Sequence, residues 1–400
     1  MKLLNSSLLA PIVVLSLMLI GCENEKTGSL YDPNYVSPRP DPTITSVAPS
    51  GGALAAVDTL VVTGTNFSAT LSENTVYFNG TPASLLSAST TQLRLLSPLT
   101  PGSGIEIKTG VTGASLFSNA VKYDLTAAVV AYGNLGQTEA AGAMTPDASG
   151  NLIVSIKPEG VNARIFKFTT AGVRSEYAPE TGGTPQWTSL RFGPGGYLFA
   201  TRSVRAVYRF APGGGSAATL WVAFPIGVFA SAIDFDQNNY LWVGGNNANI
   251  YLIRPDATNK AFPFTGNVRA LRVYGGHLYF AASTTSGDQI WRATITGDTM
   301  GTPEVYFDFS GAFGGQGLTP TSMTLSSDGF LYIGTNAPSH IVVVSPSKTS
   351  GSPYRAYTTL FGLSTISLVG GGGNALYAST ESGALVKILW GKTTAPYYGQ

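Results

Sequence analysis

The chain reads as all-β in two folded parts, an immunoglobulin-like sandwich followed by a six-bladed β-propeller. Three observations predict this. Short apolar-polar alternations recur between Gly, Asn, Asp and Pro turn signals along most of the chain. Six strands that begin at a leucine (Leu152, Leu198, Leu241, Leu278, Leu331 and Leu376) follow one another at intervals of 46, 43, 37, 53 and 45 residues. The composition agrees: charged residues make up 11%, the net charge is +1, and 48 glycines supply turns. Such a neutral chain lacks the basic stripe that phosphate neutralisation requires, so nucleic acid is not an expected partner.

The first 22 residues read as an export signal. Lys2 precedes a polar patch, and Leu8 to Ile20 is an apolar run broken only by Pro11 and Ser16. The run is too short for a permanent bilayer-spanning helix and fits the apolar centre of a secretory signal. Leu19-Ile20-Gly21-Cys22 resembles the lipobox of bacterial lipoproteins. That resemblance implies a signal peptide over residues 1–21 and a multiply acylated Cys22 as the mature N-terminus; the alternative is an ordinary cleaved signal with an incidental cysteine. Cys22 is the single cysteine, so no intramolecular disulfide can form. Residues 22–42, with prolines at 33, 38, 40 and 42, read as a tether. In polyproline-like form it would span about 40–50 Å and lift the folded part clear of the headgroups. The expected location is the cell envelope, lipid-anchored in the outer membrane and surface-exposed.

Residues 43–124 make the sandwich. Strands are expected at Ile44-Thr45-Ser46-Val47, from Thr59 to Thr63, at Thr75-Val76-Tyr77-Phe78, from Gln92 to Leu96 and from Ile105 to Lys108. Asn79-Gly80 is a hairpin signal because both residues tolerate positive φ. About seven short strands in one such segment describe an immunoglobulin-like fold. The segment also resembles the IPT/TIG domain family. The resemblance is carried by Pro42 to Gly52, Val62-Thr63-Gly64-Thr65-Asn66-Phe67, Asn74 to Gly80, and Ser118-Asn119 with Tyr123. It implies a spacer or interaction module with no catalytic residues.

Residues 125–400 make the propeller. Each repeat runs from a small residue through an apolar-polar-apolar strand and a turn to the leucine-headed strand, with a third strand downstream. A period near 45 residues with several strands per unit signals propeller blades. Asp147 to Leu152 and Asp328-Gly329-Phe330-Leu331-Tyr332 resemble NHL-type repeats, a resemblance that implies six blades. Only ten residues follow Trp390, so closure of the ring should borrow a strand from Ala127 to Tyr132. The residue ahead of each apolar pair is small (Ala143, Ser189, Ala232, Ala270, Ser322, Thr365), which lets six strands converge on an axis. Between the apolar residues lies a polar ring of Thr145, Arg191, Asp234, Arg272, Thr324 and Ser367. Arg191, Asp234 and Arg272 thus fall on neighbouring blades. They read either as an inter-blade ion-pair network or as a channel-mouth site for a polar or anionic ligand.

Catalytic signals are weak. The two histidines, His277 and His340, fall in different blades and support neither a histidine metal site nor a Ser/His/Asp triad. Asp147, Asp236 and Asp328 sit in turns, where an aspartate commonly caps its own turn. No catalytic residue, metal ligand or cofactor is assigned. Aromatic side chains offer more. Trp242, Trp291 and Trp390 lie in apolar strands and suit packing between blades. Trp187 and Trp221 lie near blade connections, Trp221 close to Phe224-Pro225, and read either as packed side chains or as exposed faces on which a sugar can stack. Asn246, Asn247 and Gln289 are weaker polar candidates.

The whole architecture resembles accessory lipoproteins of bacterial polysaccharide-utilisation systems. The resemblance implies non-catalytic carbohydrate binding through the propeller, with polysaccharide as partner. The alternative is a scaffold that binds an envelope protein, and the third reading is a metal-dependent hydrolase or lyase with its ion near Asp234.

Overall fold

The computed structural model describes residues 36–182, 186–336, 341–348, 351–353, 365–372 and 374–400, with backbone alone at 351–353 and 365. Cys22 and His340 lie outside the described residues. Among the described residues no helix is long and apolar enough to cross a membrane.

The sandwich is built from two sheets. One orders Thr43–Ala48, Thr59–Thr65, Gln92–Leu96 and Leu85–Ala88; the other orders Ala53–Leu54, Val121–Thr126, Gly102–Val111, Asn74–Phe78 and Thr81–Pro82. Alternate residues such as Leu60, Val62, Leu93, Leu95, Val76 and Ile107 turn inward into one core. Period-two alternation is what places them on a single face. Asn79 and Gly80 adopt φ of 45° and 85° and join their strands as a two-residue hairpin, because that turn needs positive φ at both positions. Ahead of the first strand the chain is already held to the sandwich. Ser37 Oγ donates to the Gly113 carbonyl at 2.6 Å, and Arg39 pairs with Glu73 at 2.7 Å.

The propeller has six blades. The first contains Glu139–Pro146, Leu152–Pro158, Arg164–Phe168 and Arg174–Ala178; the second contains Ser189–Phe192, Leu198–Thr201, Ala206–Phe210 and Thr219–Ala223. The third opens with Ala232–Phe235, Leu241–Gly244 and Asn246–Ile253. Its outermost strand is the first part of Asn259–Tyr274, which continues as the innermost strand of the fourth blade beside His277–Thr284, Gly287–Thr296 and Glu304–Phe307. Blades three and four therefore share one unbroken strand. The fifth contains Pro320–Leu325, Leu331–Thr335, Ile341–Val344 and Gly351–Pro353, and the sixth contains Thr365–Gly370, Ala375–Thr380 and Leu385–Leu389. Val129–Ala131 pairs with Val386–Ile388 to complete the sixth sheet.

The cores lie between blades. Leu152, Leu198, Leu241, Leu278, Leu331 and Leu376 are all fully buried, and each enters a different inter-blade cluster. The repeat spacing is thus the spacing of packing interfaces. Ala56 of the sandwich joins the cluster between blades five and six, against Tyr332 and Trp390.

The six inner strands run side by side around the axis. We term the end where they begin the mouth face and the end where they finish the tail face. The last residues of the chain cross the tail face. Lys392 pairs with Asp328 at 2.5 Å, Ala395 N donates to the Leu325 carbonyl at 3.0 Å, and Gln400 Nε2 donates to the Pro146 carbonyl at 2.6 Å. Tyr397 sits among the inner-strand ends, with its hydroxyl 3.0 Å from Gly370 N and 3.3 Å from Thr324 Oγ1. Ending the chain at Trp390 should lower stability by about 2–4 kcal/mol, the scale of losing half-buried aromatics together with buried Ala395. Urea unfolding of the truncated and intact chains checks this, and an unchanged midpoint would show that the tail is not part of the folded ring.

Candidate functional site

At the mouth face, residues from all six inner strands surround a cavity of about 850 Å³. The position just before each small residue supplies much of its lining: Gly142, Thr188, Ser231, Arg269 and Thr321. These short side chains stand where the strands first converge. Arg269 departs from the pattern and brings a charge to the rim, pairing with Asp288 at 2.8 Å. Asp288 also accepts from the Ser283 hydroxyl. Gln186 crosses Gly142, where a Cβ would meet its Nε2 at 2.3 Å, and donates to the Ala140 and Ser155 carbonyls at 2.9 and 3.2 Å. Asn267, Asn336 and Glu381 complete the polar wall, and Ile366 adds an apolar edge.

Below the mouth the axis narrows to a neck of about 40 Å³ bordered by Arg191 and by serine and threonine side chains. Under the neck lies the predicted charge set. Asp234 is fully buried and accepts from Arg191 Nε at 2.8 Å, from Arg272 Nη1 at 2.5 Å and from Val273 N at 2.8 Å. The guanidinium carbons of Arg272 and Arg191 lie 3.9 and 5.0 Å from the centre of the Tyr397 ring. Tyr397 therefore caps the charge set from the tail face. The structure brings Arg191, Asp234, Arg272 and Thr324 together around this ring. Thr145 is buried and bonds only its own neighbour's carbonyl, at 3.5 Å. Asp234 and Arg272 are sealed inside the axis and do not stand at a channel mouth; Arg191 alone of the three borders open space.

Of the two tryptophans read either as packed or as stacking faces, Trp187 is packed and Trp221 is partly exposed. Trp187 is 3% exposed; its ring lies 5.6 and 5.4 Å from those of Tyr208 and Phe210, with the Arg202 guanidinium 5.3 Å away. It borders the mouth cavity but offers no free face. Trp221 is half-buried on the outermost strand of blade two, 4.7 Å from the Phe199 ring. Neither placement was legible locally, since both depend on which neighbouring strand side chains close over the ring. Phe229 is exposed and lies two residues before Ser231 of the mouth lining. Asn247, one of the weaker candidates, fixes it by accepting from its N–H at 2.7 Å and donating to its carbonyl at 2.9 Å. Gln289 has a buried Oε1 with no partner.

Two of the three turn aspartates cap their turns through backbone N–H groups, whereas Asp328 accepts from the Ser326 hydroxyl and from Lys392. Asp147 accepts from the backbone of Ser149 and Asn151, each at 2.9 Å. Asp236 accepts from Asn238 N, Tyr240 N and Trp242 Nε1, while burial pushes its carboxyl above the ordinary aspartate range. His277 bonds the Gly275 carbonyl at 2.9 Å within its turn. Among the described residues no three His, Cys, Asp or Glu side chains gather into a metal-binding group.

Fold and geometry define a two-part all-β protein with one polar mouth on its propeller. Residues 42–124 match the IPT/TIG domain. No curated protein matches the sequence. Among solved structures, a protein of unknown function from Bacteroides thetaiotaomicron is 15% identical over 90% of this chain and 99% of its own, with a TM-score of 0.51. A putative phosphatase from the same organism is 13% identical over 89% and 98%, with a TM-score of 0.52. A gluconolactonase from Xanthomonas campestris is 12% identical over 65% of this chain and 89% of its own, with a TM-score of 0.51. These likenesses are of fold.

Replacing Asp234 with alanine would leave two buried guanidinium groups unpaired, a loss of about 3–5 kcal/mol. The double variant Asp234→Ala with Arg272→Met should recover part of that loss. Denaturant titration of the two variants checks the order, and equal stability would refute the coupling.

Proposed function

We propose that this chain is a lipid-anchored protein of the cell envelope whose propeller captures a carbohydrate at its mouth without transforming it. The mouth carries the reading. Amide, hydroxyl and guanidinium groups from Gln186, Asn267, Thr188, Ser231, Thr321 and Arg269 converge on one open cavity of about 850 Å³. Sugar hydroxyls both donate and accept, and a wall mixing these groups can satisfy them. Phe229 is exposed two residues before Ser231 of this wall, its backbone held by Asn247, and would supply a ring face for stacking. The lipid on Cys22 and the proline-rich segment after it would hold this mouth outward from the membrane surface, at the outer leaflet of the outer membrane.

Affinity electrophoresis through gels containing a panel of polysaccharides tests the capture. Retardation by one glycan, weakened at least tenfold by Phe229→Ala with melting unchanged, is the expected result. Absence of retardation across the panel would sink it. The anchor has its own check: radiolabelled palmitate should enter the protein and be lost in Cys22→Ala.

A second reading, a scaffold for an envelope protein, is favoured by exposed Leu116 and Phe117 on the sandwich. Phe117 packs edge-on to Tyr77 at 5.5 Å, which presents a fixed apolar surface. Under that reading pull-downs recover an envelope partner that Phe117→Ser no longer binds, and no glycan is retained. Because gluconolactonases share the fold, turnover of a sugar lactone that chelation abolishes would overturn the non-catalytic part of the proposal.

A further inference from the structure

We infer that the neck under the mouth is an anion subsite, and that the carbohydrate taken by the mouth carries an acidic substituent, a carboxylate or a sulfate, that enters the neck. The inference rests on the mouth reading and narrows it to acidic glycans.

Charge balance comes first. Asp234 is the sole acid paired with either axial arginine among the described residues, so two buried guanidinium groups share one carboxylate. One positive charge is left over in a place largely shielded from water, where an unpaired ion is costly. Asp236, the other buried acid of blade three, is turned to its own loop and to Trp242.

Both guanidinium groups keep an unused donor: Arg272 Nε is buried without a partner among the described residues, and Arg191, which borders the neck, leaves Nη2 unused. A guanidinium has five N–H groups in a planar fork. Arg272 directs Nη2 to the Ala395 and Pro396 carbonyls at 3.4 and 3.3 Å and so serves the tail. Arg191 uses Nε on Asp234 and Nη1 on the Leu190 and Met144 carbonyls, at 2.8 and 3.5 Å, while among the described residues its Nη2 finds no acceptor. Arg191 is 6% exposed and borders the neck. Ser322 also lines the neck, and its buried Oγ has no hydrogen-bond partner among the described residues. Buried polar atoms are rarely left unsatisfied, and an unpaired guanidinium edge beside an orphan hydroxyl is the donor set an oxyanion completes.

Size sets the division of labour. A neck of about 40 Å³ holds two or three water-sized groups, enough for a carboxylate and too little for a sugar ring. The ring would stay in the mouth, which shares Thr188, Ser231, Arg269 and Thr321 with the neck. Asp288 is occupied by Arg269 and Ser283, and Glu381 is exposed at the rim of blade six, so neither contributes to the neck lining.

Two measurements on the full-length chain in detergent test this. Crystals soaked in sodium bromide should show an anomalous peak in the neck within hydrogen-bond reach of Arg191 and Ser322; an empty neck overturns the inference whatever the mouth binds. Matched probe pairs then compare polygalacturonate with its methyl ester, and dextran sulfate with dextran. At least tenfold tighter retention of one acidic member is expected, and which pair shows it separates carboxylate from sulfate. Ser322→Ala, which removes the orphan hydroxyl without adding bulk where the strands converge and leaves the Arg191–Asp234–Arg272 set intact, should weaken that preference while melting stays unchanged. Equal retention of charged and neutral members overturns the acidic subsite and leaves the mouth reading standing. A bromide peak with no retention of any polymer overturns both, and leaves a site for free inorganic anions only.

Discussion

A propeller lasts only if its last sheet is tied to its first, because otherwise each blade edge is an unpaired strand and the ring can open. Here Val129–Ala131, from the N-terminal side of the first blade, pairs with Leu385–Leu389 from the end of the last. The inter-blade cluster joining blades six and one holds Leu152, Val369 and Tyr377 together with Tyr132, the residue after that closing strand. Closure forces six inner strands together, and this crowding dictates the rest of the axis. Small residues stand where the strands converge, and longer polar side chains beyond them must find partners inside the axis or remain unsatisfied.

Those partners are found across blades. Asp234 is reached by arginines from both neighbouring blades, so the charge set crosslinks three of them. A buried ion pair adds little stability by itself, since its desolvation opposes its attraction. What it does here is fix register, because Arg191 and Arg272 reach one carboxylate only when the three strands are level. The C-terminal residues complete this arrangement. Tyr397 lies against both guanidinium groups and bonds blades five and six, which leaves the axis accessible from the mouth face. The polar mouth is thereby a blind cavity with a charged floor, a shape suited to holding one end of a ligand.

Much of the fold was legible because propeller repeats write their packing into the sequence. Each aligned leucine marks an interface, and Asn79-Gly80 marks a hairpin through its φ requirement. The Arg191, Asp234 and Arg272 set was also visible, since equal register on adjacent strands means adjacency at the axis. Its role was not. Whether such a set faces solvent or is sealed depends on what lies over it, and the cover is Tyr397, more than a hundred residues further along. Trp187 and Trp221 show the same limit. Their positions near blade connections left both the packed and the exposed reading open; Tyr208 and Phe210 close over Trp187, and Phe199 packs against half-buried Trp221. The mouth lining did leave a signal, in the residue that precedes each small one, with Arg269 as the bulky exception.

The sequence by itself determined the strands, their repeat and the inward face of each, because side-chain alternation and turn chemistry are local properties of the chain. It also determined the inner-strand positions that meet at the axis, because the repeat fixes register. Only the tertiary structure decided which of those positions are open. Exposure depends on side chains brought in from distant segments: Tyr397 from the tail beneath the axis, Asn247 beside Phe229, Gln186 across Gly142. No local pattern encodes such meetings, since they arise only once the ring has closed.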